Sequence, residues 1–234
     1  MRLAVFYVTE GKTMVPIVSF IGWHDSGKTS IVSQVVTHLK DKGLRVAVIK
    51  STKHTDIVFD QPGSDTDTYR KTGADAVTLM APDQMVMFAA NPDLNLVALV
   101  HRFFHDYDIV IGEGFKHERK IAKIEVTRGD AVLLRDQVNG VIATITDRQL
   151  SGDYIFRLDE SKEIAEFIVK KYIEGSRAKE EMATLLVNGK KVPMKGFVQD
   201  ALAGTVQGFV KTLKQTGEIN EIDLKIKIIG QGSS

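Results

Sequence analysis

Residues 22–29 carry the residue types and the spacing that bind phosphate. They read Gly-Trp-His-Asp-Ser-Gly-Lys-Thr, which fits the pattern G-x-x-x-x-G-K-[ST] at every fixed position. The glycines let backbone N–H groups converge on phosphate oxygens, and a helix that follows offers its positive end to the same anion. Lys28 is expected to reach the β- and γ-phosphates, and the Thr29 hydroxyl to bind Mg²⁺.

The predicted nucleotide contacts extend over this loop and the start of the next helix. They are Gly22, Asp25, Ser26, Gly27, Lys28, Thr29 and Ser30. Asp25 is unusual in such a loop, because its carboxylate repels phosphate unless the side chain turns outward or pairs with His24. His24 itself is interpreted as a surface residue of the loop, since one histidine without a visible partner does not indicate a catalyst.

The elements around the loop are those that a phosphate-binding loop requires. An apolar, β-branched run at residues 15–21 predicts a strand buried on both faces. Apolar residues then recur at helical spacing from Ile31 to Leu39, and Gly43 is placed to end that helix. Residues 45–50 predict a second strand, which completes a right-handed βαβ unit with parallel strands.

Strands and helices continue to alternate after this unit. Strands are predicted at 76–80, 85–89, 109–112, 121–127 and 141–146, and helices at 94–105 and at 162–172. A further short helix is predicted to be capped by Asp65 or Thr66 and to run through Lys71. This alternation predicts an α/β fold of the P-loop NTPase type, with three layers and a mostly parallel sheet. Residues 1–175 are assigned to this domain, and a charged linker is predicted at 176–181.

A small α+β unit of unknown role is predicted at residues 182–230. It is expected to contain strands at 183–187 and 222–228, a turn at 188–189 and one helix, followed by a tail at 230–234. The helix has an apolar stripe that is interpreted as core rather than as a ligand site: Phe197, Val206, Phe209, Val210 and Leu213. Gly204 and Gly208 suggest that this helix packs closely against another backbone.

The composition limits the classes of partner. With 31 basic and 30 acidic residues, the net charge of +1 provides no overall field that attracts nucleic acid or an anionic membrane. No window approaches the ~20 apolar residues of a membrane-spanning helix, and the apolar run at residues 3–8 is too short for a secretory signal. The absence of cysteine excludes disulfides and thiolate sites and fits a reducing compartment. We expect a cytoplasmic protein.

Four further motifs follow the loop in a fixed order. They are Ile-Lys followed by His54, then QPGSDT at 61–66, YRKTGA at 69–74 and IGEGFKHE at 111–118. Each is weak alone, but the series is specific, and residues 16–147 resemble the MobB family, molybdopterin-guanine dinucleotide biosynthesis protein B. Histidines are common in that family where this chain has Ser51 and Lys53, so only His54 carries over from that cluster.

The resemblance implies a GTP-binding accessory protein. Such a protein assists the guanylyltransferase that joins GMP to molybdopterin, hydrolyses GTP slowly and forms a homodimer. GTP and Mg²⁺ are then the expected ligands, and molybdopterin or the guanylyltransferase the expected partner. The alternatives are a P-loop kinase that acts on a small metabolite and a non-catalytic scaffold that binds nucleotide to regulate docking.

Two carboxylates are candidates for the metal site beside Thr29. Asp65, in the family's PG.D[ST] motif, is expected in a switch-like loop that helps to hold Mg²⁺, the alternative being a simple turn residue. Glu113 ends an apolar strand in the position of a Walker-B carboxylate, where it is expected to order a metal-bound water or polarise the attacking one. Glu113 is therefore also the predicted catalytic residue.

The remaining candidates are ligands for anions or for the base. Lys50, His54, Arg70 and Lys116 are predicted to contact anionic groups. The alternatives are that both lysines are solvated and that Arg70 pairs with Asp67 at the (i, i+3) spacing. Asp147, at the end of a strand, is expected either to accept hydrogen bonds from guanine or to cap the following turn.

Overall fold

The computed structural model describes residues 2–9, 15–55, 57–58, 60–90, 95–174, 183–187, 190–213 and 221–228. The predicted linker at 176–181, the turn at 188–189 and the tail at 230–234 lie outside these ranges. Two compact units are present: Thr52–Asn95 forms one, and the chain on either side of it forms the other.

The secondary structure confirms most of the predicted elements. In chain order, the strands and helices are β1 (Arg2–Thr9), β2 (Ile17–Ile21), α1 (Lys28–Asp41), β3 (Val46–Lys50), α2 (Asp65–Lys71), β4 (Ala76–Met80), β5 (Met85–Ala89), α3 (Leu96–Phe103), β6 (Ile109–Glu113), β7 (Ala122–Thr127), β8 (Val141–Thr146), β9 (Ile155–Phe156), α4 (Ser161–Ile168), β10 (Thr184–Val187), β11 (Lys190–Val192), α5 (Gly196–Lys211) and β12 (Glu221–Ile228). A 3-10 turn at Leu134–Asp136 was not predicted, and the helix predicted at 162–172 continues beyond α4 as a π-helix at Val169–Glu174. Among the described residues, no helix combines the length and the apolar character needed to cross a membrane.

A six-stranded parallel sheet forms the centre of the larger unit, in the order β3-β6-β2-β7-β8-β9. Successive residues of β2 face opposite sides, as the pleat of a strand dictates. Val18 and Phe20 pack in the core beneath α1 and α4, whereas Ile17 packs with Leu96 and Val100 of α3. Because helices cover both faces, the predicted three-layer α/β fold is confirmed.

The unit Thr52–Asn95 contains α2 and an antiparallel hairpin of β4 and β5. The hairpin has the predicted bounds. Ser64 is the N-cap of α2, and its Oγ accepts a hydrogen bond of 3.1 Å from the Asp67 N–H. The predicted cap at Asp65 or Thr66 is therefore one or two residues too late.

Strand β1 belongs to a second, antiparallel sheet of four strands, in the order β11-β10-β1-β12. Its hydrogen-bonded neighbours are the C-terminal strands β10 and β12, whereas the predicted domain boundaries group residues 1–14 with the P-loop domain. The sequence analysis did not predict this strand, because its pairing partners lie far along the chain and leave no local signal.

The interpretation of the apolar stripe as core is wrong for three of its residues, two in α5 and one just beyond the end of that helix. Phe197, Phe209 and Leu213 are exposed, while Ala203 and Val206 are buried. A β-carbon placed on Gly204 or Gly208 would meet no described atom within 4 Å outside the helix, so the predicted close packing at these glycines is wrong as well.

Candidate functional site

The loop between β2 and α1 requires both glycines of its pattern. A β-carbon on Gly22 would lie 2.3 Å from the Val126 carbonyl oxygen and 2.6 Å from Ser26 Oγ, which leaves no room for a side chain. Gly27 has a φ of +88°, a conformation that glycine adopts without strain, and it is the N-cap of α1. The chain can therefore turn from strand to helix at the point where backbone N–H groups meet an anion.

Lys28 is held within the loop. Its Nζ donates to the Trp23 carbonyl oxygen at 2.5 Å and to Ser26 Oγ at 3.3 Å. Burial lowers the pKa of Lys28 from its ordinary value, while the carboxylate of Glu113 acts in the opposite direction. A partly desolvated ammonium group interacts more strongly with an incoming phosphate than a fully hydrated one does.

Glu113 lies where the ends of three structural elements meet. Both of its carboxylate oxygens are 3.1 Å from Thr29 Oγ1, which donates to them, and Oε1 is 3.0 Å from Lys50 Nζ. The sheet register explains this, since Glu113 pairs with Lys50 of β3 and with Phe20 of β2. The structure thus brings together three of the residues that the sequence predicted for the site.

The hydroxyl of Thr29 and the carboxylate of Glu113 are hard oxygen ligands of the kind that Mg²⁺ prefers. Within the described ranges, no group of three or more His, Cys, Asp and Glu side chains could hold a metal ion. A site with two protein oxygens fits Mg²⁺ nevertheless, because this ion is usually held by one or two carboxylates together with phosphate and water oxygens.

The carboxylate of Asp25 is paired with His24. Its Oδ2 lies 2.7 Å from His24 Nδ1, and both side chains are almost fully exposed. This is the arrangement that the sequence analysis required for a carboxylate in a phosphate-binding loop. Such an exposed pair contributes little to stability.

The segment after β7 is attached to the phosphate-binding loop. Trp23 Nε1 donates to the Val132 carbonyl oxygen at 2.7 Å. Lys116 Nζ lies 5.1 Å from the centre of the Trp23 ring, so Lys116 makes a cation–π contact with the loop. Buried Glu125 accepts the backbone N–H groups of Leu134 and Arg135, which fixes the far end of the segment.

Arg128 is a neighbour of the loop that the sequence analysis missed. A β-carbon on Gly27 would lie 2.8 Å from Arg128 Nη2, so the guanidinium packs against this glycine. One signal was available: Arg128 directly follows the last residue of β7, and β7 adjoins the strand that leads into the loop. Its distance from the loop in sequence concealed the contact.

Asp147 lies at the end of β8, as predicted, and is exposed. Its Oδ1 accepts a hydrogen bond of 3.1 Å from the Gly129 N–H, in the turn after β7. The side chain therefore joins two neighbouring strand ends at the carboxyl edge of the sheet. Its predicted contact with guanine stays a prediction.

Three predicted site residues belong to the unit Thr52–Asn95. His54 and Asp65 are exposed. Arg70 Nη2 lies 2.9 Å from Asp67 Oδ1, which is the (i, i+3) ion pair given above as the alternative to anion binding. The Gly63 N–H, Lys71 and Arg70 all hydrogen-bond to Asp67 and hold the pKa of its carboxyl far below its usual range. The metal and anion roles of His54, Asp65 and Arg70 stay predictions.

A family model described as MobB, molybdopterin guanine dinucleotide synthesis protein B, matches residues 17–147. This range covers more than half of the chain and includes the loop, Lys50, Glu113 and Lys116. The chain belongs to the MobB family. The resemblance inferred from the motifs is thereby confirmed.

Curated relatives in the MobB family cover different lengths of this chain. The molybdopterin-guanine dinucleotide biosynthesis adapter protein of Escherichia coli K12 is 32% identical over 168 residues, which cover 68% of this chain and 95% of the relative. The putative adapter protein of Methanocaldococcus jannaschii is 28% identical over 240 residues, which cover 91% of this chain and 97% of the relative. The second alignment therefore includes most of the residues outside 17–147.

Solved MobB structures share the fold. The crystal structure of molybdopterin-guanine biosynthesis protein B is 29% identical, with a TM-score of 0.56 over 66% of this chain and 98% of that one. Bacillus subtilis MobB is 21% identical, with a TM-score of 0.56 over 67% of this chain and 98% of that one. At that lower identity, the likeness supports the fold alone.

Proposed function

We propose that this chain is a GTP-binding adapter in the formation of molybdopterin-guanine dinucleotide. It would assist the attachment of GMP to molybdopterin and hydrolyse GTP slowly. The observation that carries the proposal is the complete phosphate-binding loop with Thr29 and Glu113 in contact, in a chain that belongs to the MobB family. Family membership also favours the adapter over a metabolite kinase.

The triphosphate is bound by the loop backbone and Lys28 in this proposal. The N–H groups of the loop and of the first turn of α1 surround the α- and β-phosphates, and the ammonium group of Lys28 reaches the β- and γ-phosphates. Lys28 already lies in the loop, where it donates to oxygen atoms that a phosphate can replace as acceptors.

Thr29 and Glu113 would hold Mg²⁺ directly or through water, and Asp65 is the third predicted ligand. When bound, the ion neutralises part of the triphosphate charge. Glu113 has a second role, which is to orient the attacking water. A carboxylate has about four lone-pair sites, so contacts with Thr29 and Lys50 leave acceptor capacity for a water molecule.

Binding of GTP and ATP, each with and without Mg²⁺, tests the proposal most directly. We expect GTP to bind more tightly than ATP and Mg²⁺ to strengthen binding of the triphosphate, measured by calorimetry. Equal affinity for GTP and ATP would contradict the assignment of GTP, and failure to bind either would contradict the whole proposal.

Asp147→Asn is expected to remove the preference for guanine. The asparagine oxygen can still accept from the Gly129 N–H, but the amide no longer offers two acceptors to guanine N1 and N2. GTP affinity should fall by about 10- to 100-fold, as for the loss of hydrogen bonds to a charged group, and ATP affinity should not change. Asp153→Asn, at another exposed aspartate, is the matched control. A variant that still prefers GTP to the same degree would exclude Asp147 as the selectivity residue.

We further propose that the chain forms a homodimer through the hairpin of β4 and β5. The cross-strand register places Thr78, Met80, Met85 and Met87 on one face, opposite the face of Val77 and Phe88. All three methionines are exposed, Met80 to 79%. A lone two-stranded sheet is marginally stable and leaves both edges open, so a second copy of the chain would cover apolar surface and backbone groups together.

Met85→Asp should weaken this dimer. Burial of a methionine stabilises by about 1.5–3 kcal/mol, and a buried aspartate at the same place costs more, so the dimer dissociation constant should rise at least about tenfold. Leu79→Asp, on the other face of the same hairpin, is the control and should leave the dimer intact. Sedimentation equilibrium gives the constants, and a dimer that tolerates Met85→Asp would contradict this interface.

A further inference from the structure

We propose that Arg128 binds the α- and β-phosphates of the guanine nucleotide, a role that lies outside the motifs of the phosphate-binding loop. This inference rests on the proposed function. It adds a cation from the residue that follows β7 to the contacts made by Lys28 and by the backbone N–H groups of the loop.

The guanidinium of Arg128 lies directly on the loop. A β-carbon placed on Gly27 would be 2.8 Å from Nη2 and 3.1 Å from Cζ. The absence of a side chain at Gly27 therefore leaves the space that the arginine uses. Since loop backbone N–H groups surround the α- and β-phosphates, a guanidinium against the loop backbone is placed on that side of the nucleotide.

The backbone that carries Arg128 is fixed by several contacts. The Gly129 N–H donates to Asp147, and Trp23 of the loop donates to the Val132 carbonyl oxygen. Such anchoring reduces the conformational entropy that is lost when the arginine contacts a ligand. The side chain is exposed, so it is accessible to a ligand.

The charges around the loop explain what the arginine adds. Glu113 is paired with Lys50, and Asp25 lies beside His24. Apart from His24, Lys28 is the one side chain of the motif itself that can carry a positive charge. The side chain of Arg128 makes no hydrogen bond or ion pair with any residue in the described part of the chain, which leaves its five N–H donors available. A guanidinium binds phosphate oxygens in a bidentate manner that a lysine cannot reproduce.

Arg128→Ala tests the inference through the affinities for GTP and GDP. Because the α- and β-phosphates are present in both nucleotides, we expect both affinities to fall by the same factor, about 10- to 100-fold for the loss of charge-assisted hydrogen bonds. The affinities of Arg128→Lys for GTP and GDP should lie between those of the wild-type protein and those of Arg128→Ala. Arg102→Ala, which removes the same charge from an exposed position on α3, is the matched control, and thermal unfolding checks the fold of each variant.

The outcomes separate this inference from the proposed function. Equal losses for GTP and GDP support it. Unchanged affinities overturn it, and so does a loss confined to GTP or to the rate of hydrolysis, since Arg128 would then act at the γ-phosphate. If the wild-type protein binds neither nucleotide, the proposed function fails and the inference fails with it; if the wild-type protein binds both and Arg128→Ala binds them equally well, the inference alone fails.

Discussion

Replacing Lys28 by alanine is expected to abolish detectable GTP binding and to leave the fold intact. The ammonium group is the side-chain cation of the loop motif, and nothing else in the motif supplies its contact with the β- and γ-phosphates. Loss of a charge-assisted contact to phosphate should lower the affinity on the order of a hundredfold or more. Calorimetric titration with GTP measures the loss.

The fold should survive because Lys28 makes few contacts within the protein. Among the described residues, its Nζ hydrogen-bonds to Trp23 and Ser26 of the same loop alone, and the core beneath α1 does not include it. Lys42→Ala, at the other end of α1, provides the control for loss of one positive charge. Normal GTP affinity in Lys28→Ala would refute the assignment of the site.

Local sequence was sufficient to predict the strand and the helix at the centre of the fold and part of the candidate site. The apolar run before the loop and the helical spacing after it predicted β2 and α1, because burial on both faces of a parallel sheet leaves a continuous apolar strand. The contact of Thr29 with Glu113 was predictable too, since the carboxyl ends of neighbouring parallel strands meet at one edge.

Contacts between distant parts of the chain could not be predicted in the same way. Strand β1 pairs with β10 and β12 at the opposite end of the sequence. The contact of Arg128 with Gly27 depends on the order of strands in the sheet, which periodicity does not specify. Likewise, the apolar stripe of α5 indicated an amphipathic helix but not whether its outer residues, Phe197 and Phe209, are covered.

Glu113→Gln should slow GTP hydrolysis and preserve GTP binding. The glutamine oxygen can still accept from Thr29 Oγ1, so the local geometry is retained. The amide cannot take a proton from water, and loss of a general base or water-orienting carboxylate lowers turnover by about 10²- to 10³-fold. Release of inorganic phosphate under single-turnover conditions measures the effect.

The same substitution separates catalysis from charge. Without Mg²⁺, GTP should bind to Glu113→Gln at least as well as to the wild-type protein, because a negative charge is removed and Lys50 loses its carboxylate partner. With Mg²⁺, the gain in affinity should be smaller than in the wild-type protein, since the ion loses an anionic oxygen. Glu163→Gln, at an exposed position of α4, should change neither quantity. Turnover at the wild-type rate in Glu113→Gln would leave Glu113 with a structural role only, as the residue that links Thr29 of α1 to Lys50 of β3.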